Sequence, residues 1–143
     1  MRAGQLIRAQ LLETTEIEYS GCKVRVPTSG EILRIKGVLI LKRNATRDYL
    51  DFAALADHLG RRDLSEALRQ FDELYPQDNQ ESALQQLVIQ LANPLPYDLE
   101  ALNLMEYKSL DPRWHNWEAV KAVCSRCAAI IFDQIIGEER FGL

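Results

Sequence analysis

Two short runs near the N-terminus have the pattern of paired β-strands. Residues 13–19 (ETTEIEY) are rich in β-branched and aromatic side chains, and residues 22–26 (CKVRV) alternate between apolar and charged. Ser20 and Gly21 between the two runs are typical of a short hairpin turn. The pattern predicts a β-hairpin at about residues 13–27. Because a hairpin alone is marginally stable in water, its apolar face is expected to pack on helices, on further strands or on another molecule.

Helical periodicity governs the rest of the chain, about residues 29–137. Thr28 and Glu31 have the spacing of a capping box, which predicts that a helix begins there. This helix is apolar on nearly every face between Ile32 and Leu41, so we expect it to be buried on most sides. Apolar residues spaced by three and four predict four further helices, with expected limits of Thr46 to Gly60, Asp63 to Leu74, Leu84 to Leu91 and Asp111 to Gly137.

These elements define an α+β fold class that is predominantly α, with one N-terminal β-hairpin followed by about five packed helices. Residues 97–110 have no clean period and are expected to form a loop. A chain of 143 residues is long enough to bury a substantial core, so residues 1–143 are predicted to form a single domain.

Composition narrows the classes of function. A net charge of -4 argues against nucleic acids and anionic membranes as partners, because both require a basic surface. No apolar run approaches the roughly 20 residues of a membrane span, and the first residues lack the pattern of a signal peptide. Three cysteines do not make a disulfide framework in a chain of this size. Together these observations predict a cytoplasmic protein.

Two charged residues occupy positions where the helical pattern asks for apolar side chains. Lys36 has apolar residues around it on the first long helix, and Asp48 has them at i+4, i+7 and i+11 on the second. Because lysine and aspartate are rarely buried unpaired, we expect these side chains to meet, directly or through a bound molecule. One interpretation is a structural ion pair beside a carboxylate favoured by the helix dipole. The other is a phosphate-binding lysine oriented by Asp48 and Asp51, and physical chemistry leaves both open.

The other reactive side chains favour structural roles. Cys124 and Cys127 have C-x-x-C spacing, but both fall in the middle of the last predicted helix on its apolar stripe, so we expect them to pack in the core. His58 and His115 are expected to be structural or surface residues. No metal site is predicted.

The charged residues of the first two helices also match a known pattern. The run from Ile32 to Lys36 (ILRIK), then Arg43, then residues 47–51 (RDYLD) resemble the later motifs of AbiEii-type nucleotidyltransferases. That family belongs to the DNA-polymerase-β-like superfamily and includes toxins of toxin–antitoxin pairs. The resemblance covers roughly residues 12–60, and the later helices look like the variable helical part of the family.

The resemblance implies roles for five residues. Lys36 would contact a nucleotide triphosphate, and Asp48 would be a catalytic or orienting acid, while Arg47, Asp51 and Arg43 would support them in a nucleotide-facing cleft. The family's Gly-Ser and D-x-D motif, which carries the metal-binding carboxylates, does not occur in this sequence. The resemblance therefore implies a truncated, degenerate or partial protein that is inactive alone. Mg²⁺ and a nucleotide would enter only if another chain supplied the missing motif.

A second interpretation gives the chain no small-molecule site. In it the chain is a helical interaction module that forms a homodimer or binds a partner chain through the β-hairpin, because exposed strand edges pair readily. A cluster of Tyr97, Trp114 and Trp117 would contribute to the same surface. A third interpretation, a cysteine-based metal or redox protein, would require bound zinc or a thiol with a depressed pKa.

Overall fold

The structure, a computed structural model, describes residue 8, residues 10–99 and residues 111–137. Strands β1 (Thr14–Tyr19) and β2 (Cys22–Pro27) form the predicted antiparallel hairpin. Ser20 and Gly21 join them with φ angles of 50° and 78°, and positive φ at both central positions is what a type I′ hairpin turn requires.

Helices make up most of the remaining described chain, so the predicted fold class, α+β and predominantly α, is confirmed. A 3₁₀ turn (Pro112–His115) precedes the last α-helix, and a π-helical turn (Phe132–Ile136) follows it. The α-helices are α1 (Ser29–Arg43), α2 (Thr46–Leu59), α3 (Arg61–Leu68), α4 (Phe71–Leu74), α5 (Ala83–Ala92) and α6 (Trp117–Ile131).

Helix α1 is the centre of the helical core. It contacts α2, α3 and α5, and its Leu33 and Ile40 are completely buried. Gly37 allows α1 to pack closely against α5, because a Cβ atom at this position would lie only 3.0 Å from Leu87 Cδ2. The prediction that this helix is buried on most sides is confirmed, and it carries two buried charged residues, Glu31 and Arg34, into the interior.

Several predicted helix limits need correction. The N-cap of α2 is Ala45 and not Thr46, because the carboxylate of Asp48 accepts the Ala45 N–H and no Thr46 side-chain cap is needed. Helix α3 begins at Arg61, since Gly60 with φ of 87° redirects the chain within one residue. The helix predicted from Asp63 to Leu74 is divided by a turn into α3 and α4.

The helix predicted from Asp111 to Gly137 consists of three consecutive segments. The 3₁₀ turn opens it, because Asp111 accepts a hydrogen bond from Arg113 N–H and Pro112 occupies the first turn. Asn116 then caps α6. The apolar stripe is nevertheless continuous and faces the core, and its buried members are Trp114, Val120, Cys124, Cys127, Ile131 and Ile135. Most of the loop predicted at residues 97–110 lies outside the described residues.

Candidate functional site

The charged residues singled out in the sequence lie where α1 meets α2. Lys36 Nζ is 3.3 Å from Asp51 Oδ2, and Arg47 Nε approaches the same oxygen at 3.8 Å. Lys36 therefore pairs with Asp51, one turn beyond Asp48. The Lys36 and Asp51 side chains are 30% and 25% exposed, so water screens this pair.

Asp48 has a different partner. Its carboxylate accepts hydrogen bonds from Nε and Nη2 of Arg43, a two-point contact between planar groups, and a third from the backbone N–H of Ala45. Asp48 is completely buried, whereas the Arg43 side chain is about half exposed. The contact with Asp48 raises the pKa of Arg43, which stays charged. The geometry thus gives Asp48 a structural role. It caps the N-terminus of α2, and through Arg43 it holds the C-terminal end of α1 against α2.

A polar network continues from this junction. Asn44 has a left-handed backbone (φ of 49°) that ends α1, and its side-chain oxygen accepts a hydrogen bond from the buried Tyr49 hydroxyl. Burial raises the pKa of Tyr49, since it disfavours the phenolate. At Thr46, the first residue of α2, both the backbone N–H and the side-chain hydroxyl donate to Asp98 Oδ1, at 2.7 and 2.8 Å. Asp98 therefore supplies, from 52 residues away, an acceptor at the N-terminus of α2.

Replacing Asp98 by alanine is expected to lower the free energy of unfolding by about 1–2 kcal/mol, the usual cost of losing an N-terminal cap. Partial burial alone would raise the pKa of Asp98, because it disfavours the charged carboxylate. The hydrogen bonds from Thr46 stabilise that carboxylate more strongly, so the pKa of Asp98 lies below its ordinary value. Its stabilisation is therefore present above about pH 4 and lost as the pH falls through the lowered pKa. Urea unfolding of both proteins at pH 7 and pH 2.5 should show a smaller difference at the lower pH. An equal difference at both would contradict the assignment.

A second buried ion network joins α1 to the base of the hairpin. Glu31 is completely buried and accepts two hydrogen bonds from Arg34, at 3.2 and 2.7 Å. Its other oxygen lies 2.8 Å from Arg8 Nη1 as an ion pair, at an angle that does not form a hydrogen bond. Glu31 consequently does not complete the predicted capping box, although the Thr28 hydroxyl does accept from the Glu31 N–H. The Thr28 hydroxyl itself donates to Glu13, which lowers the pKa of Glu13 and holds the first strand to α1.

The β-hairpin carries an exposed apolar face. The register places Ile17 opposite Val24 and Tyr19 opposite Cys22, so these four side chains share one side of the ribbon. Ile17 is 45% exposed, Tyr19 71% and Val24 40%. Among the described residues this side of the ribbon is exposed, apart from the partly buried Val26 near its base. We define the apolar hairpin face by its six members, Thr15, Ile17, Tyr19, Cys22, Val24 and Val26.

The cysteines divide into one exposed and two buried thiols. Cys22 lies on the apolar hairpin face, whereas Cys124 and Cys127 are buried in α6. Burial raises the pKa of both α6 thiols, to about 12 for Cys127, which is opposite to the shift that a redox or metal-binding thiol requires. Within the described ranges no group of three or more histidine, cysteine or acidic residues could hold a metal ion.

Comparison with known proteins gives one group of relatives, all of them transport proteins. The heme uptake protein MmpL11 of Mycobacterium tuberculosis is 32% identical over 130 residues, which are 89% of this chain and 13% of that protein. The mycolic acid-containing lipids exporter MmpL11 of Mycolicibacterium smegmatis is 29% identical over 126 residues, 86% of this chain and 13% of the exporter. The probable transport protein MmpL11 of Mycobacterium leprae is 28% identical over 131 residues. No family model and no solved structure matches the chain.

These relatives correct three predictions. The identification with AbiEii-type nucleotidyltransferases, and with it the toxin–antitoxin interpretation, is wrong, because the similarity over nearly the whole chain is to MmpL11 transport proteins. The expectation of a cytoplasmic protein is wrong for the same reason. The chain spans about 13% of the length of these relatives, so it is similar to a portion of a transport protein. Among the residues that the structure describes, no helix is both long enough and apolar enough to cross a membrane.

The nucleotide-contacting roles that the resemblance gave to Lys36, Arg43, Arg47, Asp48 and Asp51 are left without support. The sequence predicted that Lys36 and Asp48 meet, directly or through a bound molecule, whereas in the structure Lys36 pairs with Asp51 and Asp48 pairs with Arg43. It missed the Glu31–Arg34 network, although a second charge inside the apolar run of α1 was a visible signal. It also missed Asp98 as the acceptor for α2, for which no local signal exists.

Proposed function

We propose that this chain is a docking module of an MmpL11-like transport protein and that it docks through the apolar hairpin face. The similarity supports the first part, because nearly all of the chain corresponds to about an eighth of the relatives' length. A portion of this size would act by binding to other parts of the transport protein or to its partners. This proposal keeps the interpretation of the chain as an interaction module and places it in a transport setting.

The exposed amphipathic hairpin is the observation that carries the proposal. Ile17, Tyr19 and Val24 together expose a contiguous apolar surface, while Glu16, Glu18 and Lys23 occupy the opposite side of the ribbon. Contiguous apolar patches bounded by polar residues are typical of interaction sites. A two-stranded ribbon also gains little stability by itself, so covering its apolar side would stabilise the hairpin and the complex together.

A graft into the Mycolicibacterium smegmatis exporter tests the proposal. The 126 matching residues of the exporter would be replaced by the corresponding residues of this chain, and export of mycolic acid-containing lipids would be measured. We expect the graft to support export and the double substitution Ile17→Thr with Val24→Thr to reduce it at least about tenfold. Threonine keeps the β-branched side chains that strands favour and removes the apolar surface.

The matched control is Glu18→Gln, which changes the opposite side of the same ribbon. This variant should export as well as the unmodified graft. A graft without export would contradict the assignment to this class of transport protein. Full export by the double variant would contradict docking through the apolar hairpin face.

A further inference from the structure

We propose that the apolar hairpin face binds the same face of a second copy of this chain, with the two hairpins stacked face to face. The inference rests on the proposed function, because it names a partner for the same docking surface. Two-fold symmetric contacts use one patch on both copies, so the patch must be complementary to itself. An apolar face meets this condition directly.

The base of the hairpin is fixed, while the face beyond it is exposed in the described part of the chain. Thr28 N–H donates to the Glu13 carbonyl at 3.1 Å, and the Thr28 hydroxyl donates to the Glu13 carboxylate at 2.6 Å. These contacts hold the start of β1 against the start of α1. All of β1 and most of β2 are exposed among the described residues, so the apolar side of the ribbon is accessible there beyond its base.

The charges on the ribbon favour stacking. The register puts Glu16 opposite Arg25 and Glu18 opposite Lys23, so all four charges share the side opposite the apolar hairpin face. When two such ribbons stack through their apolar sides, about 10 Å apart as in packed sheets, every one of these charges points into water. Stacking therefore removes apolar surface from water without desolvating a charge.

The same charges disfavour pairing of two copies edge to edge. Symmetric antiparallel pairing of β1 with β1 would bring Glu16 and Glu18 close to the same two residues of the second copy, and β2 with β2 would do the same for Lys23 and Arg25. Like charges across neighbouring strands are destabilising. Pairing β1 with β2 of another copy would match the charges, but such a heterologous contact generates a ring or a fibre and not a two-fold dimer. Face-to-face stacking therefore gives a two-fold dimer without repulsion between like charges.

The size of the face sets the strength of the dimer. Six residues in each of two strands cover roughly 20 Å by 10 Å, which is below the interface area of stable complexes. We therefore expect a reversible dimer with a dissociation constant on the order of 0.1–1 mM. Such an affinity fits chains held near each other in an assembly, where the effective concentration is high.

Two measurements on the isolated chain test the dimer. Sedimentation velocity between about 10 µM and 2 mM should show a shift from monomer to dimer. In an equal mixture of ¹³C-labelled and unlabelled chains, isotope-filtered NOEs should connect Ile17 and Val24 methyl groups of different copies. The double variant Ile17→Thr with Val24→Thr should weaken the dimer at least about tenfold, and Glu18→Gln should leave it unchanged. Cross-strand NOEs within the hairpin would verify that both variants keep the ribbon.

A monomer at the highest concentration would overturn the inference, and so would intermolecular NOEs between backbone protons of strand edges. These failures are distinguishable from failure of the proposed function. If the isolated chain is monomeric but the double variant abolishes export by the graft, the face docks onto a different partner. If the chain dimerises but the double variant exports normally, the dimer exists and the docking function is wrong.

Discussion

Replacing Glu31 by alanine is expected to lower the free energy of unfolding by about 3–5 kcal/mol, the usual cost of breaking a buried ion pair from one side. Glu31 is completely buried, and Arg34 is nearly so. Without the carboxylate, Arg34 keeps its hydrogen bond to the Ala67 carbonyl at 2.8 Å and a longer contact with the exposed Glu13 at 3.5 Å. Most of the charge would then be buried without compensation. Urea unfolding followed by circular dichroism at pH 7 measures the loss.

The double variant Glu31→Leu with Arg34→Met distinguishes the cost of an unpaired buried charge from the cost of lost side-chain packing. It removes both charges and keeps apolar volume, so it should be more stable than Glu31→Ala alone. The conservative variant Glu31→Gln keeps an acceptor for Arg34 and should lose less than alanine. If Glu31→Ala lost under about 1 kcal/mol, the network would have to be more hydrated than its burial indicates. A double variant less stable than Glu31→Ala would show that the ion pair itself is net stabilising.

The hairpin and the helices could be predicted from sequence because their signals are local. The turn at Ser20-Gly21 supplies two positive φ angles, and alternation in Cys22–Val26 fixes which side of β2 is apolar. The limits of α2 and α3 were less accurate, because they depend on single backbone angles at Ala45 and Gly60. The acceptor that Asp98 offers to Thr46 arises only when distant segments fold together.

The residues of the predicted site satisfy ordinary structural requirements of the two helices. Arg47 and Asp51 are one helical turn apart, and their pairing is an ordinary i,i+4 contact. Asp48, three residues into α2 from its N-cap, occupies a position where a carboxylate is favoured on any helix. The R-D-x-x-D pattern therefore meets the requirements of a well-capped helix start, which involve no nucleotide. The similarity over 86–89% of the chain is to MmpL11 transport proteins.

Replacing Asp48 by alanine is expected to lower the free energy of unfolding by about 2–4 kcal/mol, much more than the same replacement of its neighbour Asp51. The substitution removes the acceptor for the Ala45 N–H and for two donors of Arg43, within a buried position. Part of that cost is offset because the half-exposed Arg43 can turn to water. Asp51→Ala is the matched control, three residues away on the same helix. Its pair with Lys36 is partly exposed, so its loss should stay below about 1 kcal/mol.

The two substitutions are compared by urea unfolding at pH 7 in the same buffer and at two salt concentrations. The Asp51 effect should shrink in high salt because its ion pair is screened, whereas the Asp48 effect should persist because its hydrogen bonds are buried. Asp48→Asn, which keeps one oxygen acceptor for Ala45, should fall between alanine and the unmodified chain. Equal losses at positions 48 and 51 would mean that burial does not distinguish the two carboxylates. The junction of α1 and α2 would then be held mainly by its apolar contacts.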